Sequence, residues 1–191
     1  MLVIAVETGT RSAGQMPWAG RRHDDDTPGT SSGTTPAELF DAVFGALHDG
    51  EQVALGFDVP LSEPVPADQG AADADTLLGL AGPGIAELGQ LLGELGTWRP
   101  WTRVSTSLSR WKANTSILVW EAVPDDGADG VAASAAADSF FRQLRTAAQD
   151  QPGASEGPVV NLAAVVAQRA GLLADASELA RPAVAITVAG G

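Results

Sequence analysis

Three carboxylates stand where a strand-like apolar run ends: Glu7 after Leu2-Val3-Ile4-Ala5-Val6, Asp58 after Val53-Ala54-Leu55-Gly56-Phe57, and Glu121 after Ser116-Ile117-Leu118-Val119-Trp120. Short apolar runs of this length read as buried strands, and Pro60, two residues past Asp58, stops further sheet pairing there. If the three strands are parallel neighbours, their terminal acids converge. Clustered carboxylates repel one another and raise their own pKa values, so such a cluster is usually held together by a cation. Oxygen-only ligands favour Mg²⁺ or Mn²⁺ over zinc. Ions of that kind activate water and stabilise charge on a phosphoryl group, the chemistry of nucleases and phosphatases. The plainer alternative is that each acid merely ends a strand and faces water.

Other chemistries have less behind them. The chain has no cysteine and two histidines, His23 and His48, at no zinc-like spacing. His48 falls in the last turn of an expected helix, where a cation suits the helix dipole. Thr8-Gly9-Thr10 follows the first strand and could cradle a phosphate with Thr8 and Thr10, without the lysine and fuller glycine pattern of a phosphate loop. From Trp98 to Lys112 the chain carries Arg99, Arg103, Arg110 and Lys112 interleaved with three tryptophans, Trp98, Trp101 and Trp111, and no acid. That tract suits a phosphate or a stacked base; tryptophans packed under arginine stems are the bland counterpart. Against it stands a formal charge of −13, whose mean field repels nucleic acid.

The elements that must position these residues follow from local signals. Thr35, Pro36 and Glu38 form a capping box that opens a helix, with Leu39, Val43 and Leu47 on its apolar stripe, Phe40 and Phe44 beside them, and Gly50 at its end. A second helix runs from Pro83-Gly84 to Leu95, with Ile85, Leu88 and Leu92 on one side and Gly96 at its exit. A third spans about Ala132 to Gln149, turning Ala137, Phe140, Phe141, Leu144 and Ala148 inward; a fourth starts near Val160 or Asn161. Ala183 to Val188 is a last strand. Residues 9–34 are rich in Gly, Thr, Ser and Asp without a period, and read as a flexible insertion, with a mobile lid or a weak hairpin as the alternatives. Ser62 to Asp75 reads as loop. At 191 residues the whole chain, 1–191, is expected to be a single α/β domain, a sheet between helices. No run reaches membrane-span length and the amino terminus lacks a signal-peptide pattern, so a cytoplasmic location is expected, with no membrane partner. The oligomeric state is open, a homo-oligomer included.

At Phe57-Asp58-Val59-Pro60-Leu61 and Val119-Trp120-Glu121-Ala122-Val123-Pro124 the chain resembles the predicted nucleases of the ribonuclease-H-like superfamily catalogued as a domain of unknown function (DUF429). The resemblance implies a three-layer fold with a central mixed sheet flanked by helices. It implies metal-dependent hydrolysis of phosphodiester or phosphomonoester bonds, with Mg²⁺ or Mn²⁺ on Glu7, Asp58 and Glu121, and nucleic acid or a nucleotide as partner. The family's late acid falls near Asn161, which keeps a carbonyl ligand without the charge and is equally a favoured helix N-cap. Glu7 stands for the family's Asp. These departures leave open a catalytically degenerate module that binds protein or nucleotide. A nucleotide-binding protein of actin-like or sugar-kinase design is a third reading, although it needs a second lobe.

Overall fold

The computed structural model describes residues 1–8, 15–22, 29–64, 83–96, 98–100, 117–124, 132–144, 159–172, 179–180 and 183–188. The apolar runs are strands: β1 (Leu2–Val6) and β4 (Val53–Phe57) are buried at every position. Such strands are covered on both faces, and side-chain alternation assigns the two coverings. Leu2, Ile4, Val6, Val53, Leu55 and Phe57 enter one core; Val3, Ala5 and Ala54 enter the other.

Residues 9–34, expected as an insertion, hold two further strands, β2 (Trp18–Arg22) and β3 (Thr30–Gly33). β2 runs antiparallel to β1, and β3 antiparallel to β2. Neither has an apolar alternation. Trp-Ala-Gly-Arg-Arg and Thr-Ser-Ser-Gly are strands because their backbones complete the ladder beside β1. β5 (Ser62–Pro64) likewise lies where a loop was expected, antiparallel to β8 (Val159–Asn161). β7 (Ile117–Pro124) runs three residues beyond Glu121. It lies parallel to β4, to the short β6 (Arg99–Pro100) and to β9 (Ala185–Val188). The sheet order is β3-β2-β1-β4-β7-β6, with β9 also on β7.

Helices fill both outer layers. On one side α1 (Pro36–His48), α2 (Pro83–Leu95) and α4 (Leu162–Arg169) bury Leu39, Val43, Ala46, Leu88, Leu92, Leu95, Leu162 and Ala163. On the other, α3 (Ala133–Leu144) buries Ala133, Ala136, Ala137 and Phe140. Arg21 of β2 reaches Asp138 of α3 at 2.7 Å, a partner that raises the guanidinium pKa. Both groups are partly exposed, so the pair adds little stability. An antiparallel β1–β2–β3 unit continued by parallel strands, with helices on both faces, is the ribonuclease-H-like three-layer arrangement. The fold expected from the resemblance is the one observed. No helix among the described residues is long and apolar enough to cross a membrane.

The capping box forms as read. The Glu38 N–H donates to Thr35 Oγ1 at 3.3 Å, and Glu38 Oε2 accepts from the Thr35 N–H at 3.1 Å and the Thr34 N–H at 2.9 Å. Those donors hold the Glu38 carboxyl below its ordinary pKa. At the other end Gly50 takes φ +74°, so that its N–H reaches Leu47 O at 3.0 Å and the Glu51 N–H reaches Ala46 O at 2.8 Å. Thr35→Ala is expected to lower stability by about 1 kcal/mol, read from the urea midpoint at unchanged slope.

Candidate functional site at the strand ends

Val6, Phe57 and Glu121 are aligned across β1, β4 and β7. Glu7 and Asp58 therefore stand side by side one residue past the ladder, while Glu121 is one level lower. Alternation then separates them. Glu7 continues the Val3 and Ala5 face, which packs on α3. Glu121 continues the Ile117 and Val119 face, which packs on the opposite core. Its neighbour Trp120 points to the α3 side, where it lies against Phe140 at a ring-centroid distance of 5.1 Å.

Each carboxylate accepts a hydrogen bond that the fold needs. Glu7 Oε1 accepts from the Ala133 N–H at 3.0 Å. That amide opens α3 and has no acceptor within its own helix, and a negative charge there complements the helix dipole. Asp58 Oδ1 accepts both the Thr8 N–H, at 2.5 Å, and the Thr8 hydroxyl, at 2.6 Å. It thereby ties the exit of β4 to the exit of β1. Glu121 Oε2 accepts from the Leu61 N–H at 3.0 Å. Leu61 has no exposed surface, so its amide cannot turn to water and needs an internal acceptor.

The turn at Leu61 and Ser62 gathers further elements. Leu61 O accepts from the Leu162 N–H at 2.8 Å, and Ser62 Oγ accepts from the Ala183 N–H at 2.8 Å. Ser62 also pairs with Asn161 in the β5–β8 ladder. Asn161 is fully buried, takes an extended backbone and accepts the Ala164 N–H on Oδ1 at 3.0 Å. It is the N-cap of α4.

Of the phosphate-contacting candidates, Thr8 and the backbone of Arg99 lie among the described residues. Thr8 is buried, with its hydroxyl directed to Asp58. The Arg99 backbone lies in β6, beside Leu118 of β7. Thr10, Arg103, Arg110, Lys112, Trp101 and Trp111 lie outside the described residues. Trp98 is 1% exposed in the core and cannot stack on a base, which corrects the part given to it in the basic tract.

Convergence of the three strand-end acids is not what the register delivers. Among the described residues no group of three or more His, Cys, Asp or Glu side chains could hold a metal ion. Glu7, Asp58 and Glu121, all among the described residues, do not make up such a group. Glu7 and Asp58 follow adjacent strand ends, and Glu121 accepts the Leu61 amide on the face opposite Glu7.

Comparison with protein-family models, with curated proteins and with solved structures finds no match. The architecture and the hydrogen bonds of the chain itself therefore carry the functional reading.

Two contacts at this end had no sequence signal of their own. One is the Glu121–Leu61 bond. The other is the packing of Trp120 over Gly56, where a side chain would collide with the indole. An apolar strand containing one glycine opposite a tryptophan offers a hint only after the strands have been paired.

Proposed function

We propose that this chain is a ribonuclease-H-like module that acts by binding, with its strand-end acids committed to the fold rather than to hydrolysis. The observation that carries this reading is Glu121, which lies across the sheet from Glu7 and accepts the buried Leu61 amide. The charge of −13 favours a neutral or basic protein surface as the partner over a polyanion.

The second reading is a phosphodiester or phosphomonoester hydrolase using Mg²⁺ or Mn²⁺. It is supported by the position of Glu7 and Asp58 at the carboxyl edge of adjacent parallel strands, where ligands bind in open α/β sheets. Single- and double-stranded DNA and RNA, and a chromogenic phosphomonoester, separate the two when incubated with the purified protein and either ion. The binding reading expects no turnover above the level shown by Asp58→Asn. Hydrolysis that falls 100-fold or more in Asp58→Asn, with the variant still folded, would overturn it in favour of the hydrolase.

A further inference from the structure

We draw no further inference here: the strongest candidate, the exposed Phe44 beside Phe40 on the outer face of α1, is a single apolar side chain, and nothing in the structure shows what covers it.

Discussion

Gly56→Ala is expected to destabilise the protein by about 3 kcal/mol, the upper end of the usual range for overpacking a core. An added Cβ would fall inside the contact distance of three ring atoms of Trp120. The obstacle cannot retreat easily. Trp120 has no exposed surface and packs against Phe140, which is equally buried. Gly56 is itself held on both sides, paired with Ala5 of β1 and Trp120 of β7. Alanine would restrict the unfolded chain and so stabilise by about 0.4–1 kcal/mol, too little to offset the collision. Chemical denaturation checks this through a lower midpoint at unchanged slope. Trimming the obstacle in Gly56→Ala/Trp120→Leu should cost less than the two single changes added together, because they share one contact. Additive costs would mean that the indole does not press on Gly56.

Glu121→Ala is expected to cost about 2–3 kcal/mol, whereas Glu121→Gln should cost less than about 1 kcal/mol. A hydrogen bond to a charged group contributes about 1.5–3 kcal/mol, and removing one partner leaves the other buried and unsatisfied. Alanine leaves the Leu61 amide in that state; glutamine retains an oxygen that can accept it. Hydrogen exchange gives the local readout. Protection of the Leu61 amide should collapse in the alanine variant and persist in the glutamine variant. The Leu162 amide, held by Leu61 O, should lose protection alongside it. Equal costs for alanine and glutamine would show that charge, and not the acceptor, is what matters at this position.

Local chemistry made some of this structure legible before any strand was paired. The capping box of α1 depends on three residues within four positions, and it forms as expected. β4 is bounded as read because an apolar run meets a bend and a proline. Asn161 offered two roles, ligand and N-cap, and the N-cap bond to the Ala164 amide forms as local chemistry suggests. What depended on pairing was hidden. Thr30–Gly33 alternates between exposed and partly buried without any apolar residue, so its strand character comes from β2 beside it. The face taken by Glu121 is likewise a matter of register. Its run of apolar neighbours resembles those before Glu7 and Asp58, yet β7 aligns Glu121 with Phe57 instead of with Asp58. A slip of one residue would have turned it to the α3 side with Glu7. Trp98 shows the same limit: beside arginines in sequence it suggests a stacking surface, and in three dimensions it belongs to the core.

Calorimetric titration with Mn²⁺, carried out on the native chain, Asp58→Asn and Glu121→Gln under the same conditions, tests the separation of these acids most directly. If Glu7 and Asp58 face away from Glu121, any cation uptake that Asp58→Asn lowers should be unchanged in Glu121→Gln. Uptake abolished equally by both substitutions, in variants that remain folded, would place all three carboxylates on one ion and contradict the account.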